Sequence, residues 1–281
     1  MVRKLKPELL RNSAVMKKLI GCLIIWMATQ ASVFAQQIPA PVDTPVRVVK
    51  NNAFTFGEKL KYRVHYGFMN AAIIDFEVKP APSTTTNKKT FHMVAYGRTI
   101  SAFDWFMKVR DKYETHVDQV SLLPIAYYKD QLEGSYKDKD YAVFNHKAQV
   151  CIHEKGRMKI EKDALDLISA VYYFRTFDFS KATPGQTYPF NIYLDNKMYS
   201  LSVKFMGREI IDSDLGKLRC IKLRPQLIVD RVFKDADDMT LWITDDANHI
   251  PVRVQSELRI GSLKVDLTEQ KGLRSPLALV K

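Results

Sequence analysis

A strict alternation of apolar and polar residues recurs along this chain and constrains its fold more than any other feature. Within residues 58–66, basic and apolar side chains alternate strictly from Lys59 to Tyr66. The same period of two recurs in residues 74–79, 109–117, 199–205 and 263–268. Strands with one face in the core and one in water have this pattern, whereas parallel strands covered by helices read as continuous apolar runs. The sequence therefore predicts antiparallel strands joined by hairpins.

One segment breaks the period of two. Between Asp163 and Arg175 the apolar side chains follow helical spacing, and Asp163 is placed to act as the N-cap. A single amphipathic helix among many strands suits a curved sheet whose concave side needs filling. We predict a mainly β fold, a large, strongly curved antiparallel sheet or incomplete β-barrel with one central amphipathic helix. Two sequential sheets, with a boundary near residues 177–185, are the alternative.

The amino-terminal segment predicts export. Lys17 and Lys18 precede a short apolar run, and small residues follow as far as Ala35. The run is well below the roughly 20 residues that cross a bilayer. We therefore assign residues 1–35 to a signal peptide, with Met16 as an alternative start. We expect the mature protein in the periplasm, soluble or peripherally attached to the envelope.

A lipoprotein is the competing interpretation of this segment. Leu19-Ile20-Gly21-Cys22 resembles a lipid-attachment box with Cys22 as the modified residue. The two lysines directly precede the box, and the apolar stretch that should come before the cysteine follows it. The order of these features therefore favours a cleaved signal peptide.

We divide the rest of the chain into a leader, one domain and a tail. Residues 36–52 are rich in proline and predict an extended leader, residues 53–272 a single β-rich domain, and residues 273–281 a carboxyl-terminal tail. Removal of residues 1–35 lowers the net charge from +12 to about +7. Acidic residues are interleaved with the basic ones, which predicts a mixed, solvated surface. We predict no transmembrane segment in the mature chain and no nucleic-acid partner.

Two cysteines lie in the mature chain, Cys151 and Cys220. An oxidising compartment permits a disulfide between them, and two buried free thiols fit the surrounding apolar stretches equally well. The sequence leaves both arrangements open.

Three segments together resemble a known family. They are Phe56-Gly57-Glu58-Lys59-Leu60-Lys61-Tyr62-Arg63-Val64-His65-Tyr66-Gly67, residues 163–175, and residues 241–246 with Ile250-Pro251-Val252. Over roughly residues 54–267 the chain resembles the exported bacterial family called domain of unknown function 3108. This resemblance implies a β-rich envelope protein and brings no assigned reaction.

The sequence contains no catalytic or cofactor signature. It has no nucleophile elbow, no zinc-binding helix motif and no phosphate-binding loop, and its six histidines do not pair at ligand spacing. Asp235, Asp237 and Asp238 form an acidic run, but the glycine and distal glutamate of a calcium loop are missing. We therefore predict no enzyme, no metal and no cofactor.

Aromatic residues supply the first functional hypothesis. Trp105, Phe106, Tyr172 and Phe174 are candidates to line a cavity in the concave face of the sheet. A binding or carrier protein for a lipid-like or other amphipathic ligand would use such a cavity. The alternative is that these side chains simply fill the core.

Basic residues supply the second hypothesis. Lys59, Lys61 and Arg63 alternate along the first strand and are candidates for docking on envelope proteins or glycans. A carrier needs an open hollow, whereas a docking module has a filled core and an exposed patch. The presence or absence of an open cavity therefore distinguishes the two hypotheses.

Overall fold

The computed structural model describes residues 47–80, 89–226, 239–257 and 261–280. The predicted signal peptide, most of the predicted leader and the acidic run at residues 235–238 lie outside these ranges. The prediction for each therefore stays a prediction.

The described residues form a mainly β fold with fourteen strands in one antiparallel sheet. The strands are β1 (Lys59–Tyr66), β2 (Met69–Pro80), β3 (Thr90–Thr99), β4 (Val109–Asp118), β5 (Pro124–Glu133), β6 (Tyr136–Asn145), β7 (Val150–His153), β8 (Gly156–Lys159), β9 (Thr187–Leu194), β10 (Lys197–Ser213), β11 (Gly216–Gln226), β12 (Met239–Thr244), β13 (Pro251–Glu257) and β14 (Ser262–Lys271). Their order runs from β8 back to β1, and then from β14 back to β9. Strands β8 and β9 are the two ends, so the sheet is not closed. The predicted fold class is confirmed, and the alternative of two sequential sheets is wrong.

Strand β4 shows why the alternation produces this sheet. Val109, Tyr113 and Val117 are buried, while Lys112 and Glu114 between them are half-buried on the opposite face. Successive side chains of a strand point to opposite faces, so one face enters the core and the other meets water. The inner face of the sheet is the face that carries these buried residues.

Two α-helices lie within the described part of the chain. Helix α1 (Ser101–Asp104) connects β3 to β4, and helix α2 (Leu167–Phe174) connects β8 to β9. Helix α2 packs against β3, β4 and β9 and so covers the inner face. Neither helix is long and apolar enough to cross a bilayer.

The predicted start of the central helix is wrong by a few residues. Asp163 has a left-handed backbone conformation, with φ at 57°, and does not cap the helix. Asp166 is the N-cap instead, because its side chain accepts hydrogen bonds from the backbone N–H groups of Ile168 and Ser169 at 2.9 Å. Thr115 of β4 also donates to Asp166, at 2.6 Å, which fixes the helix against the sheet.

Aromatic side chains fill the inner face around α2. Tyr172 packs edge to face on Phe54, with ring centroids 4.9 Å apart, and Phe144 of β6 packs in the same way on Tyr193 of β9 at 5.5 Å. Such pairs add to the stabilisation that comes from burying their apolar surface. The helix and β9 therefore occupy space on the inner face that an open carrier cavity would need.

Arg175 and Glu58 form an ion pair inside this core. Both side chains are at most 1% exposed, and the guanidinium group donates to the two carboxylate oxygens at 2.6 and 2.7 Å. It also donates to the backbone carbonyl oxygens of Asn248 and Ala53, at 2.9 and 3.1 Å. Charged groups are retained in a protein interior when they are paired and hydrogen-bonded in this way. The pair joins the start of β1 to the end of α2.

The carboxyl-terminal segment packs back onto the sheet. The backbone N–H of Ala278 donates to Asp246 at 2.8 Å, and Leu279 bridges to Leu218 of β11. Asn248 donates to the carbonyl oxygen of Ser275, also at 2.8 Å. The predicted tail is therefore in contact with the domain that precedes it.

Cys151 and Cys220 are buried free thiols. They belong to different groups of core residues, and burial raises the pKa of each thiol to about 12. Both thiols are therefore protonated at neutral pH and poorly reactive.

The buried ion pair predicts a large stability loss in Arg175→Met. Removing the cation leaves the Glu58 carboxylate buried without its partner, which typically costs about 3–5 kcal/mol. Lys61→Met is the matched control, since Lys61 forms a surface ion pair with Glu269 that is worth about 0–1 kcal/mol. Urea unfolding curves measure both changes. Equal losses in the two variants would contradict a structural role for the buried pair.

Candidate functional site

The four predicted lining residues lie in different surroundings. Trp105 follows α1 and is 81% exposed, and Phe106 beside it packs partly against Phe103. Tyr172 is buried in the core around α2, and Phe174 is buried in a second aromatic group. The structure therefore does not bring these four side chains into one group, and their role as a ligand lining stays a prediction.

The three predicted docking cations lie on the outer face of β1, which is a central strand of the sheet. Each cation is paired with a carboxylate. Lys59 lies 2.8 Å from Glu77, Lys61 2.8 Å from Glu269, and Arg63 3.1 Å from Asp214. Docking through these residues stays a prediction, and a binding partner would have to compete with these carboxylates.

Large apolar side chains are exposed at one end of the sheet. Phe68 lies in the turn between β1 and β2 and is 94% exposed, and Met69 beside it is also exposed. Trp105 and Phe106 belong to the same end, because the backbone N–H of Ile100, which precedes α1, donates to Ala71 at the start of β2 at 3.1 Å. We call Phe68, Met69, Trp105 and Phe106 the aromatic rim.

Polar contacts hold the aromatic rim in place. Asp104, next to Trp105, accepts hydrogen bonds from Thr99 at 2.5 Å and from the guanidinium group of Arg110 at 2.6 and 3.0 Å. The Arg110 and Thr99 hydrogen bonds lower the pKa of Asp104 to about 2. Asp104 is therefore ionised at neutral pH, and its contacts fix the short helix that carries Trp105.

A groove of about 420 Å³ lies on the outer face of β4, β5 and β6. Tyr128 and Tyr141 are exposed there and face each other across the β5–β6 pair. Ion pairs lie next to them, between Lys112 and Glu114 of β4 at 2.7 Å and, in the next row of β5 and β6, between Lys139 and Asp130 at 2.8 Å. We call this surface the tyrosine groove.

Polar side chains interrupt the inner face of β4, β5 and β6 near the aromatic rim. The strand register places Asp111 beside Gln131 and Tyr113 beside Lys129. Lys129 is buried and lies 2.7 Å from Asp138 and 2.7 Å from Asp195 of the β9–β10 turn. The polar interior cluster comprises Asp111, Tyr113, Tyr127, Lys129, Gln131, Glu133, Asp138, Asp140 and Asp195.

Asp111 and Glu133 are two buried carboxyl groups of this cluster. Burial raises the pKa of Asp111 to about 6, and burial together with the neighbouring Asp111 carboxylate raises the pKa of Glu133 to about 7. The two carboxyl groups interact, so they titrate as a pair. Among the described residues, no group of three or more His, Cys, Asp or Glu side chains has the geometry to hold a metal ion.

Sequence reasoning missed the polar interior cluster. The signal was present in β5, where Lys129, Gln131 and Glu133 continue the buried alternate positions that begin at Tyr127. A polar residue at a buried position cannot be recognised from alternation alone, because the period of two does not state which face is inside. The register and the partner strands supply that information.

Comparison with known proteins identifies the family. A model described as "Protein of unknown function (DUF3108)" matches residues 61–268, which is most of the chain. The chain therefore belongs to this family, and the resemblance seen in the sequence is confirmed. No curated protein matches the chain.

Several solved structures are similar in part. A β-barrel-like protein of domain of unknown function DUF1849 from Brucella abortus has a TM-score of 0.49 and 9% identity, covering 82% of this chain and 99% of that chain. An exported protein with a YmcC-like fold from Bacteroides fragilis has a TM-score of 0.35 and 11% identity, covering 80% and 100%. A lipoprotein of Parabacteroides distasonis has a TM-score of 0.33 and 11% identity, with the same coverage.

The raised pKa values of Asp111 and Glu133 predict that their contribution to stability falls as the pH rises. Unfolded carboxyl groups have a pKa of about 4, so between about pH 4 and pH 7 the folded state binds more protons than the unfolded state. Glu133→Gln removes its share of this dependence. The difference in free energy of unfolding, variant minus wild type, should therefore increase by on the order of 2 kcal/mol from about pH 4 to about pH 8.

Urea unfolding at the two pH values measures this difference. Glu154→Gln serves as the control, because Glu154 lies exposed in the turn between β7 and β8. If the free energies of unfolding of Glu133→Gln and the wild type differ by the same amount at both pH values, the raised pKa of Glu133 is contradicted.

Proposed function

We propose that this protein is exported to the bacterial cell envelope and binds there to a membrane surface through its aromatic rim. The amphipathic ligand expected from the sequence is then the lipid surface itself. The exposure of Phe68 and Trp105 at the same end of one sheet carries this proposal. The signal peptide predicted for residues 1–35 supports export, because a membrane of the envelope is what an exported protein meets.

The energetics favour a lipid surface for these side chains. An aromatic residue buries about 150–250 Å² when it leaves water, and apolar burial stabilises by about 25 cal/mol per Å². Phe68 is 94% exposed and Trp105 81% exposed in the free protein, so most of this stabilisation is available for binding. Tryptophan is also enriched where membranes meet water, since its ring is apolar and its N–H is polar.

Charges near the rim favour anionic lipids. Lys108 follows the rim residue Phe106 closely, and Lys137 lies just after the β5–β6 turn at the same end of the sheet. Both are exposed, and neither forms an ion pair with another described residue. A lysine near an anionic membrane contributes about 1 kcal/mol to binding. The rim therefore combines apolar anchors with cations that suit phospholipid headgroups.

The tyrosine groove favours a second candidate function, docking on an envelope glycan. Tyr128 and Tyr141 present two neighbouring aromatic faces, and charged side chains with hydrogen-bonding capacity surround them. Concave surfaces with a few polar groups around aromatic side chains are typical of sites for small molecules. Binding of an oligosaccharide that is lost in Tyr128→Ser and kept in Phe68→Ser would support this second function.

We expect that replacing the aromatic side chains of the rim weakens membrane binding. In the variant Phe68→Ser/Trp105→Ser, affinity for vesicles of phosphatidylglycerol and phosphatidylethanolamine should fall at least about tenfold, because a tenfold change needs only about 1.4 kcal/mol. Vesicle co-sedimentation measures the affinity. Binding should also weaken as salt is added, because the lysines contribute through screened charges.

Val120→Ser is the matched control for this experiment. Val120 is 57% exposed and lies between β4 and β5, at the opposite end of the sheet from the rim. It should bind vesicles like the wild type. Equal binding by the rim variant and the wild type would exclude the rim as the membrane-binding surface.

A further inference from the structure

We propose that the polar interior cluster is a binding site for the ammonium group of a small organic amine. The site lies on the inner face of β4, β5 and β6, next to the β9–β10 turn. It is separate from the aromatic rim and does not depend on membrane binding.

Side chains of the cluster have buried polar atoms with unused hydrogen-bonding capacity. Gln131 is 1% exposed, and neither its amide oxygen nor its amide nitrogen has a hydrogen-bond partner among the described residues. A buried polar group without a partner costs about 1–3 kcal/mol, so native proteins rarely keep several of them together. The same holds for single atoms of Tyr113, Tyr127, Glu133, Asp140 and Asp195.

The strand register brings these atoms to one place. Gln131 pairs with Asp111 on one side and with Asp138 on the other. In the next row, Lys129 pairs with Tyr113 and with Asp140. Residues opposite each other in adjacent strands have their side chains on the same face of the sheet. The unused atoms therefore converge on one region of the inner face.

The charge of the cluster favours a cation. Five of its side chains are carboxyl groups, and Lys129 is its single ammonium group. Burial raises the pKa of Asp140 and Asp195 as well as those of Asp111 and Glu133, so Lys129 alone does not compensate the carboxyl groups around it. The neighbouring His153 does not restore the balance, because burial lowers the pKa of its ring. A positively charged ligand would satisfy the excess.

The side chains of the cluster and their geometry favour an organic ammonium group over a metal ion as the ligand. No group of three potential ligands in the described part of the chain has metal-binding geometry. Tyr113 and Tyr127 place two aromatic rings 6.4 Å apart beside the carboxylates. Ammonium groups bind to aromatic faces and to acceptor oxygens together. Asp138, with 33% of its side chain exposed, is the cluster member through which a ligand would enter.

The test compares amines with neutral molecules of the same shape. Butane-1,4-diamine and ethanolamine are titrated into the mature protein, residues 36–281, by isothermal calorimetry, with butane-1,4-diol and ethylene glycol as the neutral partners. We expect saturable binding of at least one amine and at least tenfold weaker binding of the corresponding diol.

Asp140→Asn is the decisive variant, because it replaces a carboxyl group of the cluster by an amide and keeps the shape of the side chain. It should weaken amine binding at least tenfold. The control is Asp212→Asn, which changes an exposed carboxylate at the far end of β10 and should leave binding unchanged. Unaltered urea midpoints confirm that both variants are folded. Absence of amine binding in the wild type, equal binding of amines and diols, or equal effects of the two variants would overturn the proposal.

Discussion

The ion pair between Glu58 and Arg175 is the interaction on which the rest of the structure depends. It connects residues 117 positions apart and adds hydrogen bonds to the backbone at Ala53 and Asn248. These contacts fix the end of α2 at the start of β1, so the helix stays on the inner face and the aromatic core forms around it. A charge pair this deeply buried is costly to form and more costly to break, which makes it a strong constraint on the arrangement of the chain.

The two ends of the sheet consequently differ. Strand β1 begins beside the buried ion pair and runs for about 26 Å to the opposite end, where Phe68 and Trp105 are exposed. The first end is closed by packing and hydrogen bonds. The second end carries the aromatic rim and, on the inner face close by, the polar interior cluster. This end therefore carries both surfaces for which we propose binding.

The sequence predicts the sheet, and it does not contain the position of the polar interior cluster, for physical reasons. The alternation of apolar and polar residues in β1 and β4 predicts strands directly, and the helical spacing of apolar residues before Arg175 predicts α2. The sequence places the N-cap at Asp163 and not at Asp166, because the two residues are chemically equal as caps and only the backbone conformation distinguishes them. The sequence marks Trp105 as a functional candidate, whereas the exposure of its side chain depends on where α1 lies. The polar interior cluster depends on register between strands distant in sequence, which composition does not contain.

A single measurement tests most directly whether one end of the sheet faces the membrane. Nitroxide labels are attached in separate samples to Ser101→Cys, beside the rim, and Val120→Cys, at the far end of β4, about 33 Å away. The native thiols at Cys151 and Cys220 are buried and do not interfere. On addition of anionic vesicles, the label at 101 should become more accessible to oxygen and less accessible to a water-soluble nickel complex, while the label at 120 stays unchanged. Equal behaviour of the two labels would contradict the account.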